Sequence, residues 1–141
     1  VVVDYTAEDF VESVRTATDG RGVDVVLDVV GGEYLRRNIK ALRTGGTIVQ
    51  VGVMGGGRTE IDLGALLPKR ATLRGTVLRA RPLEEKVALT QRFAREVLPW
   101  YADGVIAPVI DSRYPLDGVA DAHRHMEANA NIGKIVLDID D

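Results

Sequence analysis

The chain has 141 residues, a formal net charge of −3 and no cysteine, enough for one domain with a real core. The acidic balance speaks against a nucleic-acid surface, which needs a basic face, and the lack of cysteine excludes disulfides and thiolate metal sites and suits a reducing, cytoplasmic setting. No apolar run approaches the roughly 18 residues of a membrane helix, and no signal peptide is visible.

In chain order, Val1-Val2-Val3-Asp4 reads as a short buried strand, so the chain has the look of a fragment cut upstream. Tyr5 lies just past that strand. Thr6 begins a capping box with Asp9 three residues on, and a helix is expected from about Glu8 to Thr18 with Phe10, Val14 and Ala17 on one face. Gly20-Arg21-Gly22 ends it. Val23 to Val30 is a nearly continuous β-branched run, the pattern of a parallel strand covered on both faces, and it stops at Gly31-Gly32. A helix over about Glu33–Leu42 follows, with Leu35, Ile39 and Leu42 in one buried stripe. Gly45-Gly46 stops it, and the third strand, Thr47 to Val53, again ends in glycines, Gly55 to Gly57. Ile61–Leu67 reads as a helical turn and Ala71–Leu78 as a fourth strand. Pro82 opens a long helix to about Trp100 with Leu89, Phe93, Val97 and Trp100 as its stripe, ended or kinked by Pro99. After Gly104 the character changes. Val105–Ile110 reads as an edge strand because of Pro108, Leu116–Asn129 as an amphipathic helix, Lys134–Ile139 as a last strand, and Asp138, Asp140 and Asp141 as a solvated tail.

This is a βαβαβ pattern of class α/β, with two glycine-rich strand ends on the same sheet edge. Ligands in open α/β sheets sit outside the carboxyl ends of the strands, so the convergence favours a small-molecule site around Val29–Gly32, although Gly31-Gly32 alone is more simply a tight turn. The full dinucleotide signature, strand, G-x-G-x-x-G, helix, then an acidic residue about 20 positions on, is absent, so only the second half of such a fold is visible. Asp28, inside the apolar run, either serves nearby backbone amides or touches a ligand; the backbone role is the commoner one. Tyr5 is equally readable as packing or as a hydroxyl offered to a ligand. Arg74, Arg79 and Arg81 read as a solvated face that could meet a phosphate. His123 and His125, two apart, point different ways on a helix and read as solvated rather than as a metal pair. No nucleophile elbow and no general acid stand out.

Asp4-Tyr5-Thr6-Ala7-Glu8-Asp9-Phe10, the Gly22–Gly32 strand, Ala41-Leu42-Arg43-Thr44-Gly45-Gly46, Gly52-Val53-Met54-Gly55-Gly56 and Met126–Leu137 together resemble the C-terminal half of the zinc-independent medium-chain dehydrogenase/reductases. More narrowly they resemble the zeta-crystallin-like NADPH:quinone oxidoreductases. The resemblance implies that residues 1–104 form the second half of a Rossmann-type doubly wound parallel sheet, and that residues 105–141 belong to the catalytic domain. It implies hydride transfer from NADPH directly to a quinone or enone, without metal. It places Tyr5 by the adenosine 2′-phosphate, Val30, Gly31, Gly52, Val53 and Met54 along the ribose and nicotinamide, Thr76, Val77 and Leu78 near the nicotinamide amide, and Asn131, with Lys134 beside it, at a C-terminal cofactor contact. It also implies a homodimer through the 71–78 edge strand, which by physics alone is an exposed edge wanting a partner.

The N-terminal catalytic domain, the glycine fingerprint and the lysine that reads the 2′-phosphate are missing. The isolated chain is therefore expected to bind cofactor weakly and to catalyse nothing. Two other readings stand beside this one: the enoyl-reductase domain of a polyketide or fatty-acid synthase, and a non-catalytic dimerisation or structural fragment.

Overall fold

The computed structural model describes residues 1–139; Asp140 and Asp141 of the expected tail lie outside them. The chain divides into two compact units, Val1–Arg81 and Pro82–Asp141.

The first unit runs α1 (Phe10–Ala17), β1 (Val23–Asp28), α2 (Tyr34–Ala41), β2 (Leu42–Gln50), α3 (Leu63–Lys69), β3 (Thr72–Gly75). Its sheet has the order β1-β2-β3, both pairs parallel, as the βαβαβ pattern requires. The expected stripe of α2 forms the core. Leu35, Ile39 and Leu42 are buried with Ile48 of β2, and Val23, Val26, Ala65, Leu66 and Ala71 pack around them. α1 is clasped to α2 by stacked Phe10 and Tyr34 rings, 5.8 Å apart, with the Arg37 guanidinium 4.3 Å over Phe10 and donating to Asp9 at 2.9 Å.

Several expectations are corrected. Val1–Val3 is not a strand, and Val1 and Val2 are fully exposed; no described strand lies beside them, and an unpaired strand has nothing to satisfy its backbone. Thr6 does not cap α1. Its hydroxyl and amide both donate to Asp4, and Asp9 takes the cap by accepting from the Val11 amide at 3.0 Å, a side chain better suited to bond a free amide of the first turn. β1 stops at Asp28 and is covered on one face only, with Val25 59% and Leu27 70% exposed. β2 begins directly at the end of α2 rather than after Gly46, because the Lys69 ammonium donates to the carbonyls of Lys40 and Leu42 and so satisfies that abrupt helix end. It ends at Gln50, not Val53. β3 is shorter than 71–78 and ends at Gly75. Thr76, Val77 and Leu78 turn away with Arg81, whose guanidinium donates to the Val77 carbonyl and the Thr76 hydroxyl, both at 2.9 Å.

In the second unit the long helix breaks at Val97 into α4 (Leu83–Glu96) and α5 (Leu98–Ala102), two residues before Pro99. Leu89, Phe93 and Trp100 of its stripe remain nearly half exposed. Val105–Ile110 is not a strand. β4 (Ile110–Pro115) starts later, past Pro108, which has no N–H to give a ladder. A 3₁₀ turn (Leu116–Gly118) leads into α6 (Val119–Glu127), and β5 (Lys134–Asp138) pairs parallel to β4. Asp138 is part of β5 and is bridged to Arg113 rather than free in solvent.

At the start of β1, Asp24 accepts from Arg21 at 3.1 Å and from Arg43 of β2. These two cations, Arg21 first, hold its carboxyl well below the ordinary 3.8, at about 2. The depressed value means that the pairing is fully present above the ordinary carboxylate range and is lost as pH falls through about 2. A carbon-detected NMR titration is expected to find that midpoint and to find it raised in Arg43→Gln. The one-sided core predicts that Leu42→Ala costs about 2–5 kcal/mol, whereas Val25→Ala on the open face costs about 1 kcal/mol or less. Urea unfolding of both variants checks this, and equal losses would mean that the Val25 face is covered in solution.

Candidate functional site

The three strands of the first unit end on one line. Asp28 stands opposite Gln50 in the ladder, and Gln50 opposite Gly75. Each of the expected loops, 30–31, 52–54 and 76–78, leaves this line within three residues.

What fixes the edge is Asp28, 4% exposed. One oxygen accepts from the Val30 amide at 2.6 Å and the Gly31 amide at 3.0 Å, and the other accepts from the Asn38 side-chain amide on α2 at 2.8 Å. The carboxylate thus serves backbone, the role favoured on general grounds. It holds open the turn in which Gly31 (φ +69°) and Gly32 (φ +54°) adopt left-handed backbone, costly for residues with a Cβ. The Gly31 and Gly32 carbonyls then accept the first amide bonds of α2 at 3.1 and 3.2 Å.

The β2 end locks onto the same turn. The Met54 amide donates to the Val29 carbonyl at 3.2 Å and the Gly55 amide to the Val30 carbonyl at 2.7 Å. The Gln50 side-chain amide donates to the Gly52 carbonyl at 2.6 Å, and the Thr76 amide to the Gln50 carbonyl at 3.0 Å. A Cβ on Gly31 would come within 3.0 Å of the Gly56 carbonyl oxygen, and one on Gly52 within 2.9 Å of that of Val29. These glycines are therefore needed first for loop-on-loop packing. Gly56 and Gly75 differ, since a Cβ on either meets no described atom within 4 Å. There the edge presents bare backbone to open space, where a flat ligand can approach.

The structure brings Val30, Gly31, Gly52, Val53, Met54 and Thr76 together through this bonding. Val77 and Leu78 follow in the same loop, both 59% exposed. Tyr5 stands exposed in the turn held by Asp4, before α1. Asn131 belongs to the second unit, where its side-chain amide donates to the Gly133 carbonyl at 3.0 Å. Sequence reasoning missed Asn38 and Gln50. Asn38 is buried on the Leu35–Ile39–Leu42 stripe, and Gln50 interrupts Ile48-Val49-Gln50-Val51; a polar residue at an otherwise apolar position was the available signal. It also missed His125, which is half-buried rather than free on the surface. Its Nδ1 lies 3.0 Å from the Tyr114 hydroxyl, and its Nε2 3.7 Å from Asp111.

A parallel α/β unit whose strand ends gather glycine-rich loops on one edge is the build of a dinucleotide-binding half. Residues 1–137 match the zinc-binding dehydrogenases, and the chain belongs to that family, within the medium-chain dehydrogenase/reductases. The highly reducing polyketide synthase PKS6 of Gibberella zeae is 30% identical over 135 residues, covering 93% of this chain and 5% of the synthase. The quinone oxidoreductase of Rattus norvegicus is 28% identical over 137 residues, covering 96% of this chain and 40% of that protein. The native structure of a mycobacterial quinone oxidoreductase superposes with a TM-score of 0.74 at 26% identity, covering 96% of this chain and 41% of that one. The chain thus spans 40% or less of these two curated relatives. Despite the family's name, the donor set here does not fit a resident zinc. There is no cysteine, and among the described residues no three His, Asp or Glu side chains gather.

Asp28→Ala would leave two backbone amides and Asn38 without their acceptor. It is expected to cost about 3 kcal/mol and to speed amide exchange at Val30 and Gly31 selectively. Exchange at those two amides that stays at its wild-type rate would remove Asp28 from its place as the holder of the turn.

Proposed function

We propose that this chain is the cofactor-facing part of an NADPH-dependent oxidoreductase that passes hydride from the nicotinamide directly to a quinone or enone. The observation that carries the reading is the line Asp28–Gln50–Gly75. It sets three loop starts side by side on the carboxyl edge of a parallel sheet, with open backbone at Gly56 and Gly75. When bound, the cofactor supplies the hydride. The chain's own part is to position it, Val30, Gly31 and Gly52–Met54 by backbone and apolar contact and Thr76–Leu78 by main-chain polar groups, so that the barrier falls chiefly through orientation. Tyr5 favours the 2′-phosphorylated cofactor. The quinone oxidoreductase relatives support the acceptor class. The reading includes a cytoplasmic homodimer paired through β3, whose outer side has no strand partner among the described residues.

A second reading, an enoyl reductase within a polyketide synthase, is favoured by the synthase relatives at 30% and 32% identity. It shares the hydride chemistry and differs in acceptor.

Nitrogen-15 NMR of the chain titrated with NADPH and NADH tests the shared part. The amides of Val30, Gly31, Gly52 and Thr76 are expected to shift, at lower concentration with NADPH. Silence at all four with both nucleotides would sink the reading. Assay of the full open reading frame against a quinone and an enoyl thioester then separates the two acceptors.

A further inference from the structure

β3 is the outer strand of the first unit's sheet, and its side away from β2 has no strand partner among the described residues. Its sequence pattern runs on to Leu78, yet the strand ends at Gly75. The direction of its free groups follows from the ladder. The Thr76 amide donates to the Gln50 carbonyl of β2 at 3.0 Å, so Thr72, Arg74 and Thr76 turn their main-chain groups toward β2. Strand alternation then turns those of Leu73, Gly75 and, were the strand to continue, Val77 to the open side.

Arg81 holds the last of these. Its Nε donates to the Val77 carbonyl at 2.9 Å, a second guanidinium N–H donates to the Thr76 hydroxyl at 2.9 Å, and its own amide closes the turn on the Leu78 carbonyl at 3.3 Å. With Val77 in the strand instead, the edge would be self-complementary. Two copies of one strand related by a two-fold axis pair antiparallel. With the axis at Gly75, Leu73 stands opposite Val77 of the second copy, and Arg74 opposite Thr76 of the second copy. All outward amides and carbonyls of Leu73, Gly75 and Val77 are then paired. A Cβ on Gly75 would meet no described atom within 4 Å, so the centre is open to a second backbone. Leu73 neighbours the buried Ile48 in the ladder yet is 46% exposed, so a Val77 side chain beside it extends the core past the sheet edge. Moving the axis to Arg74 would set two guanidiniums opposite each other, an unfavourable like-charge pair. Within the strand as it stands, Thr72–Gly75, the Gly75 register keeps only its central pair.

We infer that Arg81 is a latch on this edge: its hold on the Val77 carbonyl and the pairing of β3 with β3 of a second copy exclude each other, because Arg81 and the Leu73 amide of that copy contend for one oxygen. The inference rests on the homodimer part of the reading above and adds the group that regulates it. Closed, the latch keeps the edge short, as natural edge strands are guarded against indiscriminate pairing. Open, it lengthens β3 to Val77 and selects the register that matches Leu73 to Val77.

Sedimentation equilibrium of the chain in wild type, Arg81→Ala, Thr76→Val and the double variant Arg81→Ala/Val77→Lys tests this. Isotope-filtered NOEs in mixed-label samples report the register. Arg81→Ala is expected to tighten dimerisation about tenfold, the scale of one or two hydrogen bonds freed from a competitor, and to bring an intermolecular NOE between Leu73 and Val77. Thr76→Val removes only the hydroxyl hold and should tighten it less; it stands in for the alanine variant if that one does not fold. Val77→Lys added to Arg81→Ala should return the chain to monomer by setting a charge against Leu73. Equal or weaker dimerisation in the latch variant, or tighter dimers without that NOE, overturns the latch alone. A chain that stays monomeric in every variant overturns the β3 homodimer, and the latch with it, and leaves the hydride-transfer reading untouched.

Discussion

The first unit depends on one buried carboxylate. Asp28 interrupts a strand of Val and Leu, where a charge without partners would cost several kcal/mol. Its three partners come from two elements, the Val30 and Gly31 amides of the turn that follows it and the Asn38 side chain on the buried face of α2. The bond set therefore does more than offset burial. It fixes the angle at which β1 hands over to α2, and the β2 loop is hydrogen-bonded to the carbonyls of that same turn. Loop positions at the sheet edge are thereby referred to one rigid point, which suits a surface that must present backbone at fixed spacing.

The sheet above that point is asymmetric. Alternate residues of β1 go to opposite faces. Val26 and Ile48 meet the α2 stripe, whereas Val25 and Leu27 stand open. The apolar composition of β1 is that of a strand covered twice, and the described residues cover it once. Contiguous open apolar area of this kind is unusual for a surface that stays in water. The same holds for the Leu89, Phe93 and Trp100 stripe of α4 and α5.

The sequence made the parallel α/β class, the α2 stripe and the backbone role of Asp28 legible, because each follows from local periodicity or from the cost of burying charge. It misled wherever a distant group decided the outcome. Lys69 lets β2 begin at Leu42, twenty-seven residues away. Arg81 draws Thr76–Leu78 off the strand pattern. Asp9 rather than Thr6 caps α1, because Asp4 claims the threonine hydroxyl. Of the candidate site, the strand-end loops were legible from their glycines. Asn38, Gln50 and His125 were not, since a polar residue in an apolar pattern announces a partner without naming it.

The recurrence of one device in both units bears on why the loops have the residues they do. A carboxylate accepting the amide of a loop that needs left-handed glycine backbone removes the alternatives that glycine opens, since glycine by itself broadens the unfolded and the folded ensembles alike. At Asp28 the helix-borne partner is an amide, which carries the same hydrogen-bonding groups at every ordinary pH. In the second unit Asp111 accepts from the Ile132 amide at 2.8 Å, and the helix-borne group that faces it, the His125 ring, stands 3.7 Å away, too far for a hydrogen bond. The first frame is thus fixed by its chemistry. The second sets its carboxylate beside a ring beyond hydrogen-bond reach, so its hold on the loop comes from the Ile132 amide itself.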